Sequence, residues 1–387
     1  MSKLKNIVIA IYSPPEYYPP TLNAIEYLAD IYDHLYIIHR NYDEAFDWVY
    51  PPNVSLISSG KKINVRDAER AGVAKKIIFF LQYTAKVFKL FRKAKPDTIL
   101  MYDYMPVLSI RMLSFFAKKP RLLWYHNHDV GDEAYLRKWS ISWLAWKSEK
   151  WIFPKLDFFS LPSLERKVFF PMEKLKGKFL FLPNFPSLKV YKQVLGDKKK
   201  ETGATIKLLY QGSIGPLHGL EEIIPILNEK IAGKELRLII KGFISEDYLA
   251  RLRQIAIEHT VSDKMEYKPP TGYREVIQNA FSCHIGIGIH RKQDIMNQTL
   301  GTSSNKIYEY AASGMPVLLY DNNHFRGHLE KFEWAFFTDC SRASVLDCLE
   351  KIIARYDYLS AKARKDFEEG LNFESYLKPI IDELMTG

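Results

Sequence analysis

The chain has 387 residues, 47% of them apolar and 26% charged, with a formal net charge of +10. That composition excludes a disordered chain, and the length calls for two or three domains whose cores need no disulfides. Three cysteines without a CxxC pair argue against a disulfide scaffold or zinc module, and no run of 18 apolar residues would cross a bilayer. The positive surplus attracts something anionic: nucleic acid, phosphates or a lipid surface. It is uneven, since Arg70 to Lys95 holds eight Lys and Arg and no acid.

In chain order, MSKLKNIVIAIYS opens with an apolar run of strand length, too short for a signal-peptide core with a cleavage site. IVIAIY (7–12) is continuous, as a strand buried on both faces requires. LNAIEYLADIY predicts a helix, LYIIHR a strand, and DTILMY (97–102) and RLLWYH (121–126) two more strands. Between them KKIIFFLQYTAKVFKLFRKAK (75–95) predicts a basic helix. Ile77, Leu81, Phe88 and Phe91 recur at helical spacing, and Phe79, Phe80, Val87 and Leu90 widen the apolar arc. Core packing with a solvated basic edge is one reading; contact with an anionic membrane surface is the other, and FFAKKPR (115–121) adds charge nearby.

YKQVLGDKKKETGAT (191–205) is polar and glycine-containing and reads as a linker. The alternation then restarts: IKLLYQG (206–212), a helix through LEEIIPILNEK, LRLIIKG (236–242), a helix through EDYLARLRQIA, MEYKP, a short helix through YREVIQNA, and CHIGIGI (283–289). A last helical region runs from about Ser344 to Met385. Strands alternating with helices predict right-handed crossovers and parallel sheets. The fold class is therefore α/β, with two doubly wound Rossmann-like domains facing across a cleft. The boundaries are 1–190, a linker at 191–205, 206–365, and a C-terminal helix at 366–387 that packs back on the first domain.

SSNKIYEYAASGMPVLLYD (303–321) is the most informative stretch. Ser303, Ser304 and Asn305 are all good N-cap types, Lys306 to Ser313 is about two helical turns, and Gly314 with Pro316 ends them before a buried strand. Free N–H groups at 303–306 make an anion site, helped by the helix dipole and by Lys306. Glu309 lies one turn on, where a carboxylate accepts hydrogen bonds from a vicinal diol. Diphosphate at the helix tip and ribose at the glutamate describe a nucleoside diphosphate. The plainer reading is a capped helix with a solvated glutamate. Gly212, Gly215 and Gly219 form a loop between strand and helix that lets phosphate approach the backbone, or simply a tight turn. His126, Asn127, His128 and Asp129 follow an apolar strand; the alternatives there are a metal site without persuasive further ligands, or a structural loop.

SNKIYEYAASGMPVLLYD resembles the donor-binding signature of GT-B fold glycosyltransferases of the retaining "group 1", family 4-like type. LLYQGSIGPLHGLEEII (208–224) resembles their first donor-domain strand and glycine loop, and IIKG (239–242) their second strand end. YHNHDVGDE (125–133) resembles their His-Asp loop, EKWIFPKLDFFSLPS (149–163) the segment after it, and FLPNFP (181–186) the turn before the linker. The resemblance implies a nucleotide-sugar donor bound by Gly212, Ser213, His218, Lys241, Ser303, Ser304, Asn305, Lys306 and Glu309. It implies His128 and Asp129 as catalytic residues, with Asp129 orienting His128, and Thr21, Asn23, His126 and Glu133 on the acceptor side, with Glu149 a further candidate. It implies a glycan or lipid-linked acceptor, surface polysaccharide synthesis, and retention of configuration. No DxD motif sits at a credible loop, so no metal and no other cofactor is expected, and the basic run matches no nucleic-acid module. The expected location is cytoplasmic, peripheral at the membrane.

Two departures stand out. The family's second glutamate, eight positions before Glu309, is replaced by Gly301, and its loop Arg and Lys are replaced by Ser213 and His218. Lys241, Arg291, Lys292 and Lys306 remain as candidates to neutralise the diphosphate. A sugar-nucleotide epimerase or hydrolase, or a non-catalytic sugar-binding scaffold, are the alternative functions.

Overall fold

A computed structural model describes residues 4–43, 46–113, 120–131, 136–196, 198, 200, 203–291 and 299–386. They form two compact units, Met1–Pro183 with Tyr376–Gly387, and Asn184–Ser375.

The first unit is built on seven strands: β1 (Leu4–Ala10), β2 (Tyr32–Tyr42), β3 (Val54–Ile63), β4 (Thr98–Tyr102), β5 (Leu122–His126), β6 (Phe158–Leu161) and β7 (Lys178–Phe181). Their order is β3-β2-β1-β4-β5-β6-β7 and every pairing is parallel. Helices cover both faces of such a sheet, so its inner strands must be apolar throughout. Ile7, Val8, Ile9 and Ala10 of β1 are accordingly all buried. The strand order reverses between β1 and β4, and this opens a crevice beyond their carboxyl ends.

The second unit repeats the plan with β8 (Thr205–Ser213), β9 (Lys230–Ile231), β10 (Lys234–Phe243), β11 (Met265–Lys268), β12 (Ile285–Gly288), β13 (Val317–Tyr320) and β14 (Ala335–Thr338). The parallel order is β11-β10-β8-β12-β13-β14, and the short β9 pairs antiparallel with β10. Here the reversal lies between β8 and β12. Gly242 of β10 faces Gly212 of β8 so closely that a Cβ would come 2.0 Å from the Gly212 carbonyl oxygen, so only glycine fits there.

The predicted alternation holds, with local differences. Strands β3, β6, β7 and β14 were not expected, because each is short or half polar. The helix expected through LEEIIPILNEK is one turn, Leu220–Ile223, followed by a 3-10 turn, Ile224–Asn228. Pro225 lacks the N–H that a continuing α-helix needs. The helix Leu188–Leu195 reaches into the 191–205 stretch, capped by the Ser187 hydroxyl, which accepts from the Val190 N–H at 3.2 Å. The last helical region is three helices, Arg342–Ala354, Tyr356–Glu369 and Phe373–Thr386.

The basic helix runs Val73–Ala94. Phe80, Tyr83, Val87, Leu90 and Ala94 face the core, and Phe80 packs with Met105 and Ala145 of neighbouring helices. That packing rotates the seam away from Ile77 and Leu81, which with Val73 and Ile78 are 40–52% exposed. The exposed apolar turn is continued by exposed Lys86, Lys89, Arg92 and Lys93. Among the described residues no helix is long and apolar enough to cross a membrane.

Candidate functional site

In the second unit a polar cluster forms at the carboxyl ends of β8 and β12, where the strand order reverses. β8 delivers Tyr210, Gln211 and Gly212, the turn after β12 delivers His290, and the helix Asn305–Ala312 delivers Lys306 and Glu309. That helix follows a 3-10 turn, Gly301–Ser303. Its cap residue Ser304 is buried yet makes no side-chain cap hydrogen bond, so the leading N–H groups receive nothing from it. The Ser303 hydroxyl turns back to the Thr299 and Leu300 carbonyls at 3.0 and 3.1 Å. The buried Asn305 Oδ1 has no hydrogen-bond partner.

Lys306 is half-buried. Its Nζ donates to the Tyr210 hydroxyl at 2.7 Å and stands 4.0 Å from that ring's centroid. A Cβ on Gly212 would lie 3.7 Å from Lys306 Cε and Nζ, so the lysine stem passes over the glycine at the strand end. Glu309 is 5% exposed, and its Oε2 accepts from Gln211 Nε2 at 2.7 Å. Desolvation lowers the Lys306 pKa to about 7 and raises that of Glu309 to about 7. Hydrogen bonds from Gln211 and Tyr273, and then the Lys306 charge, pull Glu309 the other way without cancelling its burial. Both groups therefore titrate near neutrality.

His218 holds the glycine loop together. Its Nδ1 accepts from the Gly215 N–H at 3.1 Å and bonds the Tyr210 hydroxyl at 2.7 Å, and its ring stacks on Tyr210. Accepting at Nδ1 places the imidazole proton on Nε2. His290 stands edge-on to His218 at 5.0 Å between centroids. Its buried Nε2 has no hydrogen-bond partner, and burial holds its pKa well below the usual histidine value.

The four candidate cations separate clearly. Lys241 is buried, 3.5 Å from the Glu275 carboxylate and 3.3 Å from the Pro269 carbonyl. Arg291 pairs with Glu222. Lys292 lies outside the described residues. Of the three that are described, Lys306 is the one that lies over Gly212 at the strand end. Ser213 is exposed, and its carbonyl accepts from the Tyr210 hydroxyl at 3.1 Å. Gly301 is explained by packing: a Cβ there would meet the His328 ring at 2.6 Å, and its N–H donates to His324 Nε2 at 2.7 Å. Two histidines occupy the surroundings of the position where a glutamate was expected.

In the first unit the crevice at β1, β4 and β5 holds a second cluster. His128 is buried, with its ring stacked between Tyr18 and Tyr102 at 5.1 and 4.7 Å and interplanar angles of 5° and 6°. His128 Nε2 and Thr21 Oγ1 are hydrogen-bonded at 2.9 Å, and His128 Nδ1 has no partner. Desolvation, with His126 and Arg166 nearby, holds the imidazole neutral. The expected role of Asp129 as the group that orients His128 is corrected by this geometry. Asp129 is exposed and does not bond the ring; Thr21 and the two tyrosines fix it. The loop itself is held by Asp103, whose Oδ1 accepts from the His128 and Asp129 N–H groups at 2.8 and 3.3 Å. Asp103 follows β4 in the left-handed region, at φ +62°, which aspartate tolerates better than most side chains. Arg166 donates to the His128 carbonyl.

His126 bonds the Ser160 hydroxyl at 2.8 Å, and burial takes its pKa down to about 3. Asn23 is buried on the helix that carries Thr21, Pro19–Leu28. Glu149 is buried, accepts from the Tyr125 hydroxyl at 2.6 Å, and is raised by burial to about 7. Glu133 lies outside the described residues. Tyr18, Tyr102, Asp103, Arg166, Tyr210, Gln211 and His290 were not anticipated. Their available signal was position, since Tyr102, Asp103, Tyr210 and Gln211 sit at or just past strand ends.

No protein-family model matches the chain, and no curated protein matches it. Solved structures do. The sucrose-phosphate synthase of Thermosynechococcus elongatus is 12% identical with a TM-score of 0.67, over 99% of this chain and 99% of that one. Anabaena HepE, solved with UDP and glucose, is 12% identical with a TM-score of 0.67, over 99% and 100%. WaaG, a glycosyltransferase involved in lipopolysaccharide biosynthesis, is 12% identical with a TM-score of 0.61, over 96% and 98%. Two parallel sheets with matching order reversals, superposing along nearly the full length of such structures, give the chain the GT-B fold of two Rossmann-like domains.

Proposed function

We propose that the chain is a glycosyltransferase that moves a sugar from a nucleoside-diphosphate donor to a glycan or lipid-linked acceptor in surface polysaccharide synthesis. The observation that carries the reading is the pairing of Lys306 with Glu309 one helical turn apart, beside Gly212, on a helix whose cap side chain leaves its first N–H groups unserved. Lys306 and those N–H groups take the diphosphate, and Glu309 takes the ribose diol, since Gln211 uses only one of its roughly four acceptor sites, at Oε2. That HepE was solved with UDP-glucose, and that WaaG serves lipopolysaccharide synthesis, supports this substrate class.

In the reaction the bond from the anomeric carbon to the diphosphate oxygen breaks and a bond to an acceptor oxygen forms. Negative charge develops on the leaving diphosphate, where the Lys306 ammonium meets it. The acceptor hydroxyl gives its proton to the departing diphosphate oxygen, which passes it to solvent. In the first unit, neutral His128 offers an unpartnered Nδ1 in the crevice at the strand ends, and it serves the acceptor or the reacting sugar as a hydrogen-bonding group. Retention of configuration and independence of a divalent metal belong to this reading. So does a cytoplasmic, membrane-peripheral location, supported by the exposed apolar and basic face of Val73–Ala94.

Incubation with a panel of nucleotide sugars, with and without a lipid extract, tests it by mass spectrometry. Sugar transfer to an extract component, with nucleoside diphosphate released, is expected. Conversion of a nucleotide sugar to its epimer without acceptor would replace this reading with an epimerase.

A further inference from the structure

A cavity of 540 Å³ lies in the first unit beyond the end of β3, with none of the His128 cluster in its lining. Lys61, Lys62, Arg70 and Lys75 line it, with Asp67 the one carboxylate among the described residues of the lining. All five are exposed, and of the four cations Lys62 makes a long ion pair, 3.8 Å, with Asp43 at the rim. One wall is half-buried Phe79 and exposed Gln82 of the helix Val73–Ala94.

Behind that wall sits Arg40, near the end of β2. Arg40 is 1% exposed, its Nε and Nη1 have no hydrogen-bond partner, and no carboxylate pairs with it among the described residues. Its guanidinium lies 4.2 Å from the Phe79 ring centroid, with Tyr12 and Tyr42 at 5.6 and 5.7 Å. A Cβ on Gly60, at φ +81°, would stand 3.3 Å from Arg40 Nη1 and 3.5 Å from Gln82 Oε1. Arg40 Nη1 and the wall residue Gln82 thus both lie beside Gly60, and the guanidinium stays outside the lining, behind Phe79. A buried guanidinium without a counter-charge is costly, and aromatic faces compensate it only in part. Four cations at the mouth raise the local concentration of anions.

We propose that this cavity is a phosphate site that receives the phosphate monoester or diphosphate of the acceptor, with Lys61, Lys62, Arg70 and Lys75 making the contacts and unpaired Arg40, behind the Phe79 wall, adding positive potential. That the phosphate belongs to an acceptor rests on the glycosyltransferase reading; the anion site does not. The chemistry is common to a lipid phosphate and to a soluble phosphorylated sugar.

The test is calorimetric titration of the full chain with pyrophosphate at low salt, in a Lys306→Gln background that weakens the donor site. Adding Arg70→Gln and Lys75→Gln, both at exposed positions, should raise the pyrophosphate Kd at least about tenfold. Arg40→Met should raise it further if that variant folds. An unchanged Kd in the Arg70→Gln/Lys75→Gln protein overturns the proposal. Phosphatidate vesicles and glucose 6-phosphate then separate the sources: whichever one the double substitution weakens is the class bound, and weakening of neither also overturns the proposal. UDP binding is measured on the otherwise unaltered chain with and without Lys306→Gln, so the donor reading fails or survives independently.

Discussion

Replacing Lys306 by methionine should separate binding from folding. The ammonium is half-buried against Tyr210 and is desolvated enough to fall to about 7. A cation so placed adds little to the unliganded fold, so the melting temperature of Lys306→Met should match or exceed that of the parent. Against a diphosphate the same cation supplies a charged hydrogen bond, and its loss should weaken binding roughly 10- to 150-fold. The parent also carries a pH signature. At pH 6 about nine in ten free molecules hold the proton on Lys306, and at pH 8.5 only about 3% do. If the bound diphosphate restores an ordinary lysine pKa, the affinity of the parent relative to Lys306→Met falls as pH rises through 7, by about 30-fold between those values, the titration of Glu309 being common to both proteins. A nucleotide sugar is the right probe, because its diphosphate is a diester of constant charge in this range. Calorimetry at both pH values, on parent and variant, reads the two effects together. A variant that binds as tightly as the parent, or a parent-to-variant affinity ratio that is flat across this range, would refute the assignment of Lys306 to the diphosphate.

Three further outcomes are expected. His128→Gln should lower kcat for sugar transfer at least about a hundredfold while leaving the donor Kd unchanged, because its partners Thr21, Tyr18 and Tyr102 all belong to the first unit. Glu149 is raised to about 7 from 4.5, so its contribution to stability is full below pH 4.5 and is lost as pH rises through 7. Glu149→Gln should therefore gain melting temperature relative to the parent between pH 5 and pH 9, on the order of 3 kcal/mol across the range, and a pH-independent difference would contradict the burial argument. Changing Lys86, Lys89, Arg92 and Lys93 to Gln should reduce sedimentation with anionic vesicles by more than tenfold at low salt, at about 1 kcal/mol per charge; unaltered sedimentation would leave the helix with its core role only.

The parallel strands were the easiest features to see in the sequence. Runs such as IVIAIY and CHIGIGI are apolar on both faces, and only a strand covered on both sides requires that. The helix at 305–312 was equally clear, from its polar entry and its Gly-x-Pro exit. Strand β14 and the broken helix after Gly219 were not, because a four-residue strand or a single turn is set by its neighbours more than by its own pattern. At the site, Lys306 and Glu309 stood out by spacing along one helix. Gln211, which holds Glu309, lies 98 residues away. Asp103 lies 25 residues from the His128 loop that it braces. Gln211 ends β8 and meets a helix that follows β12, while Asp103 and His128 follow the neighbouring strands β4 and β5; strand order brings each pair together, and no local pattern encodes that meeting. The same holds for Gly301, whose missing side chain makes sense only beside His328.

The central claim is that the second unit binds a nucleoside diphosphate through Lys306 and Glu309. A thermal-shift screen against UDP, GDP, ADP, CMP, NAD and a panel of UDP- and GDP-sugars tests it most directly, because a ligand that binds only the folded chain raises its melting temperature by mass action. The account predicts a rise with one nucleoside diphosphate and its sugars, and its loss in Glu309→Gln with the unliganded melting temperature at or above that of the parent. A well-folded protein that shifts with none of them, or whose shift survives Glu309→Gln, would contradict it.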